Sequence, residues 1–333
     1  MTQATRDAAV PALGWLAVDD ADDATGFTAG TLNCPTIVGS SAAGPVVTGV
    51  HQVAYVEWGP PDAERVVVCV HGLARNARDF DVLARHLAGA GYRVVCPDMP
   101  GRGRSDWLGL PTPDGGYSYG QYVVDALALV ARLGVPAVDW VGTSMGGLLG
   151  MMLAALPGSP VRRLVLNDVG PVVSGAFLDH LATYIGADPD FADLDGVEAY
   201  LRRTYAGFGD LPDAWWRHLA QHSARRKPDG AWGLAYDPAI GRALVAPMPD
   251  LDLRPLWSAV RCPVLLLRGE SSPALPAEVA QEMTRTGPAA TLVTVPGCGH
   301  APSLTTEPQL ETITSWLNQG LPAVIMPPPS SGP

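Results

Sequence analysis

Short apolar runs alternate along this chain with segments of helical period, and that alternation limits the folds open to it. Residues 65–70 read Arg-Val-Val-Val-Cys-Val and leave no polar face after the first position. A strand of that composition suits a sheet covered on both sides. Residues 92–96, 138–141, 163–167, 264–268 and 291–295 have a similar character, and residues 53–58 read as a further strand ended by Gly59-Pro60-Pro61. Helical patterns stand between many of them. Residues 78–87 place Phe80, Leu83, Ala84 and Leu87 on one face, and residues 119–133 are followed by Gly134 in a C-cap position. Residues 147–155 and 308–317 complete the set. The expected fold class is α/β, a mostly parallel central sheet with helices on both faces.

One stretch breaks the rhythm. Between Pro171 and about Leu256 there are helical patterns at residues 199–204 and 213–222, the second carrying Trp215 and Trp216, but no strand pattern. An insertion of about 85 residues is too long for an ordinary loop. It reads as a helical cap. The expected organisation is an N-terminal extension over residues 1–45, partly mobile, and a core of residues 46–171 and 256–320. The cap spans residues 172–255 and a tail residues 321–333. No internal repeat is present.

With 47% hydrophobic and 17% charged residues, a chain of 333 can bury a large core. The formal net charge of −11 argues against a duplex nucleic-acid partner, which needs a basic face. It suits a protein that handles small molecules. The five cysteines, Cys34, Cys69, Cys96, Cys262 and Cys298, are odd in number and form no CxxC pair. They read as reduced, mostly buried thiols of a cytoplasmic protein. No signal peptide is seen, and no run approaches the roughly 20 apolar residues that span a membrane. The oligomeric state is not specified by these features.

The strongest chemical signal is Gly142-Thr143-Ser144-Met145-Gly146-Gly147, after an expected strand and before an expected helix. A sharp strand-to-helix turn needs small residues on both sides of the serine, and Gly142 and Gly146 supply them. A serine hydroxyl is a weak nucleophile and needs a base. His300 stands in Pro296-Gly297-Cys298-Gly299-His300-Ala301-Pro302, just past the last strand. Loops at the carboxyl ends of strands meet at the sites of open α/β sheets. Main-chain N–H groups of Leu73, after Val70-His71-Gly72, and of Met145 are the expected oxyanion donors.

These motifs, with Asp98-Met99-Pro100-Gly101-Arg102-Gly103-Arg104-Ser105, resemble those of the α/β-hydrolases over about residues 46–320. The resemblance implies hydrolytic chemistry, among esterases, lactonases, carbon–carbon bond hydrolases, epoxide hydrolases and dehalogenases. The last two normally use an Asp nucleophile, so Ser144 argues against them. In many relatives the triad acid follows the strand matching residues 264–268. Here that segment reads Arg268-Gly269-Glu270-Ser271-Ser272-Pro273, with proline at the expected position. Other relatives place the acid after the strand that follows the nucleophile helix, where this chain has Asn167-Asp168-Val169-Gly170. Asp168 is therefore the expected acid and Glu270 the alternative.

Weaker signals concern the substrate. Arg75 could read a carboxylate, or belong to a surface loop in which Asn76 caps a helix. Trp215 and Trp216 could line the pocket or anchor the cap. His218 and His222 are four residues apart but lack the Glu of a zinc protease motif, so no metal is expected. The expected activity is hydrolysis of a small carboxylic ester through an acyl-enzyme, with Ser144 attacking and His300 relaying the proton. It needs no cofactor. The alternatives are a carbon–carbon bond hydrolase or lactonase on the same triad, and a non-catalytic binding protein that kept the fold.

Overall fold

Val66, Val68 and Val70 point to one side of the central sheet and Val67 and Cys69 to the other, so one strand feeds two separate cores. Successive side chains of a strand alternate in this way, and full burial of each is worth about 1.5–3 kcal/mol. A computed structural model describes residues 26–41 and 44–319. Its strands and helices run β1 (Phe27–Ser41), β2 (Gly44–Trp58), β3 (Val66–Val70), α1 (Asp81–Gly89), β4 (Arg93–Pro97), α2 (Tyr119–Leu133), β5 (Val138–Thr143), α3 (Met145–Ala154) and β6 (Val161–Asn167). An inserted segment follows with β7 (Val172–Val173), α4 (Gly175–Ala182), α5 (Leu194–Thr204), α6 (Asp213–Ser223), β8 (Ala224–Arg226), β9 (Trp232–Leu234) and β10 (Leu251–Asp252). The chain closes with α7 (Arg254–Ala259), β11 (Val264–Gly269), α8 (Ala277–Met283), β12 (Thr291–Val295) and α9 (Glu307–Asn318).

Eight strands form the main sheet in the order β1-β2-β4-β3-β5-β6-β11-β12. From β4 to β12 all pairs are parallel, and β1 and β2 are antiparallel additions at one edge. One core holds Leu83 and Leu87 of α1 with Ile313 and Leu317 of α9. The other holds Tyr122 and Leu129 of α2 with Leu148 and Leu149 of α3. Helix α2 starts at Ser118, whose hydroxyl accepts the Gln121 N–H, and stops at Gly134 with φ +70°, a left-handed conformation that glycine adopts without cost.

Two expectations need correction. Residues 27–41 were assigned to the N-terminal extension, yet they form β1, fifteen residues long. Their sequence has little apolar period, because an edge strand pairs through its backbone and leaves much of its surface in solvent. The hairpin is fastened to α2. Gln121 accepts the Ile37 N–H at 2.7 Å and donates to the Pro35 carbonyl at 2.9 Å, and His51 Nε2 faces Asp125 Oδ1 at 3.3 Å. Gly44 and Pro45, also assigned to the extension, begin β2, while residues 1–25, 42 and 43 and the expected tail lie outside the described residues.

The inserted segment was expected to hold no strand, and it holds four of two or three residues. Strands that short show no period. Among the described residues none joins the main sheet. Instead β7 pairs with β10, and the Leu253 N–H donates to the Pro171 carbonyl at 2.6 Å. The segment thus leaves and re-enters the core at one point.

Candidate active site

The turn between β5 and α3 has no room for a side chain on either side of Ser144. A Cβ on Gly142 would stand 2.2 Å from the Gly146 carbonyl oxygen, and one on Gly146 2.0 Å from that of Val70. Ser144 takes φ 52° and ψ −113°, a conformation that costs energy in any residue but glycine. Its N–H donates to Asn167 O at 3.1 Å, and its carbonyl accepts from Gly147 and Leu148. The clashing atoms at Gly146 are backbone, so Gly146→Ala is expected to destabilise the protein by about 1–3 kcal/mol or more. Thermal unfolding checks this, and an unchanged Tm would contradict the packing described.

Three loops bring three side chains together above the carboxyl ends of the sheet. His300 Nε2 lies 3.0 Å from Ser144 Oγ, and His300 Nδ1 lies 2.9 Å from Asp168 Oδ2. Asp168 is fully buried just past β6, at φ +59°. Its Oδ1 accepts the Gly269 N–H at 2.9 Å, and its Oδ2 also accepts the Ser272 hydroxyl at 2.6 Å. With a carboxylate accepting from Nδ1–H, the lone pair on Nε2 is left for the serine proton. Phe177 stands edge-on to the His300 ring at 5.1 Å. Glu270, the alternative acid, is exposed, and its carboxylate accepts the Gly297 N–H at 3.1 Å. The pairing of His300 is with Asp168, not with Glu270.

Met145 is the first residue of α3, so its N–H is one of the helix donors with no intrahelical acceptor. A Cβ on Gly72 would lie 3.8 Å from Ser144 Cβ, which brings the end of β3 and Leu73 alongside the serine. His71 frames that chain end. Burial pushes its pKa down to about 3, so the ring is neutral. It accepts the Met99 N–H on Nε2 at 2.9 Å and donates Nδ1–H to the Gly72 carbonyl at 2.7 Å.

Two cavities meet at Ser144. One, of about 370 Å³, is bordered by His300, Arg75, Asp79, His180 and Tyr205. The other, of about 350 Å³, is apolar, with Leu148, Val173, Leu178 and Leu244 among its walls. Leu73 and Phe177 border both. Arg75 therefore reaches the first cavity, but its Nε and one terminal nitrogen donate to the Asp79 carboxylate at 2.9 and 2.6 Å, and it stacks on Tyr205. Asp79 offsets the charge a carboxylate would seek. Trp215 and Trp216 border neither cavity. Trp216 is buried and stacks on Phe208, and Trp215 stacks on His218 at 4.3 Å. Of the two places open to them, pocket wall or cap anchor, Trp216 takes the second, while the half-buried Trp215 lies against its own helix.

Two further clusters bring possible metal-binding atoms within 4.8 Å of one another, Cys34–His51–Asp125 and Asp81–His218–His222. The first is the hairpin fastening described above. In the second, Arg78 already pairs with Asp81 at 2.6 Å. Neither borders the cavities at Ser144. Sequence reasoning missed Ser272, Phe177 and Asn167. Asn167 Nδ2 donates to Pro302 O at 2.9 Å and ties the His300 loop to β6. Ser272 lies in the Arg268–Pro273 segment, where a hydroxyl gives no sign in the amino-acid order that it donates to Asp168.

The chain belongs to the α/β-hydrolase family. The family profile described as the alpha/beta hydrolase fold matches residues 65–306, and the protein is a hydrolase. It is 44% identical over 273 residues to a 3-hydroxybutyrate-oligomer hydrolase of Cupriavidus necator, covering 79% of this chain and 91% of that one. It is 30% identical over 227 residues to an esterase of Mycobacterium tuberculosis, covering 66% and 70%. The crystal structure of an α/β-hydrolase from Novosphingobium aromaticivorans superposes with a TM-score of 0.73 at 33% identity, covering 88% and 98%.

Proposed function

We propose that this protein hydrolyses carboxylic esters through an acyl-enzyme, and that its substrates are short oligomers of a hydroxy acid such as 3-hydroxybutyrate. The observation that carries the reading is the Ser144–His300–Asp168 relay at the junction of two cavities. The 44% identity to a 3-hydroxybutyrate-oligomer hydrolase supports the substrate class. Ser144 attacks the ester carbon and His300 takes its proton. The N–H groups of Leu73 and Met145 hold the oxyanion. His300 then protonates the departing alcohol, and water repeats the cycle to release the acid. The proton must come from His300, so the alcohol part occupies the cavity that His300 borders. The acyl part occupies the apolar one.

The inserted segment acts as a cap in this reading, since α4 supplies Phe177, Leu178 and Leu181 to the cavity walls. Its proposed limits remain residues 172–255, with the core on either side. A cytoplasmic location is supported by five cysteines that are all unpaired, and no described helix is long and apolar enough to cross a membrane. The partner in this reading is a small-molecule substrate.

The test is release of free 3-hydroxybutyrate from its dimer and trimer by the purified protein, followed by chromatography, beside p-nitrophenyl esters of rising chain length. Cleavage of aryl esters without release from the oligomers would discard the substrate class. Failure on both, with no labelling by a fluorophosphonate, would discard the esterase reading. A narrower expectation concerns the apolar cavity. Leu178→Trp fills part of it, so kcat/KM for an octanoate ester is expected to fall about tenfold, near 1.4 kcal/mol, while a butyrate ester changes little. Equal losses on both chain lengths would remove the acyl assignment.

A further inference from the structure

Arg102 is fully buried, and among the described residues its guanidinium has only neutral partners. Nε donates to the Leu73 carbonyl at 2.8 Å. One terminal nitrogen donates to the Pro100 carbonyl at 2.7 Å and to the Tyr122 hydroxyl at 2.6 Å, and the other lies 3.7 Å from Met145 Sδ. The rings of Tyr117 and Tyr122 stand 5.5 and 5.0 Å from the guanidinium carbon. Asp237, the acid bonded to the same aromatic wall, is used by the Tyr117 hydroxyl and the Ala239 N–H. A buried cation without a carboxylate is costly and uncommon. The two residues it grips or touches at the cavity, Leu73 and Met145, are those assigned above as the oxyanion donors.

We propose that Arg102 is the positioning residue of the oxyanion hole, and that its counter-charge is the oxyanion formed only in the transition state. The inference rests on the reading of Ser144, Leu73 and Met145 given above. Arg102 does not border either cavity, so it acts through its neighbours. Its bond to the Leu73 carbonyl fixes the orientation of that residue and so the aim of its N–H. Its charge lies against the Leu73 carbonyl and the Met145 side chain in the buried interior, where Coulombic interactions are least screened. The ground-state ester carries no charge at this point, so the field favours the transition state selectively. The three donating nitrogens fit a rigid fork, which a lysine cannot reproduce.

The test compares wild type, Arg102→Met and Arg102→Lys, using p-nitrophenyl butyrate and phenylboronic acid, which forms a tetrahedral anion on a reactive serine. Fluorophosphonate labelling and turnover of wild type come first, and their failure would sink the esterase reading rather than this inference. Arg102→Met is expected to lower kcat about a hundredfold with KM little changed, and to weaken phenylboronic acid by a similar factor. Arg102→Lys, which keeps the charge, is expected to lose about tenfold on both measures. A purely structural staple would instead lower Tm and raise KM, with boronate and substrate weakened alike, and that result overturns the proposal. So does an unchanged kcat and boronate affinity in Arg102→Met or, where that variant fails to fold, in Arg102→Lys.

Discussion

Ser144→Ala is expected to lower turnover of an aryl ester by about six orders of magnitude while leaving the fold in place. The size follows from serine hydrolases in which loss of the nucleophile alone costs about as much as loss of the whole triad. The variant removes one oxygen, and the hydrogen bond recorded for that oxygen is to His300. The turn does not depend on it, because the Ser144 N–H to Asn167 and the carbonyl bonds from Gly147 and Leu148 are backbone interactions. Alanine meets the same restriction as serine at φ 52°. Stability should therefore change by no more than about 1 kcal/mol. Turnover and circular dichroism are measured on the same preparation, and a folded variant that still works at near wild-type rate would end the assignment of Ser144.

Asp168→Asn is expected to cost about four orders of magnitude in kcat, the loss seen when the triad acid of the best-known serine proteases is replaced by its amide. The fold should survive it, since Asn is among the few residues that tolerate a positive φ such as the 59° found here. Asp168 receives three donors, Gly269 N–H, Ser272 Oγ–H and the His300 ring. An amide has only one accepting atom and must turn N–H groups toward part of this set. If the amide N–H faces Nδ1, the imidazole proton moves to Nε2 and no lone pair remains for Ser144. Glu270→Gln removes only a surface carboxylate that caps the Gly297 N–H, and kcat is expected to stay within about threefold. Full activity in a folded Asp168→Asn variant would discard this acid and leave the Ser–His pair standing.

Residues whose role follows from local space were legible in the amino-acid order. Gly142 and Gly146 must be glycine because carbonyl oxygens occupy the place of a Cβ, and that need marks the turn around Ser144. The residues Val66–Val70 were legible as a strand because both faces are buried. Asp168 came from the resemblance to α/β-hydrolases, some of which carry the acid after the strand that follows the nucleophile helix, with Pro273 standing at the commoner position. What was not legible depends on neighbours far along the chain. Ser272 meets Asp168 across 104 positions, and no local pattern announces that contact. Strand β1 was missed because Thr, Gly and Pro on an edge strand look like linker. Trp215 and Trp216 stood between pocket and cap anchor, because an aromatic pair suits either place and their stacking partners Phe208 and His218 are set by the folded chain. Arg102 stood out only as part of a glycine-rich turn, and its partners Leu73 and Met145 are 29 and 43 positions away.

Strands β6 and β11 are hydrogen-bonded neighbours in the sheet, and the last residue of β11, Gly269, donates its N–H to the side chain that follows β6. The ends of the two strands therefore converge on one carboxylate, the one that faces the His300 ring, and the two acid positions implied by the family resemblance stand on adjacent strands. This means that homology screens which demand an acid after β11 will file chains of this design among inactive paralogues, and that a spatial query centred on the histidine ring would recover them.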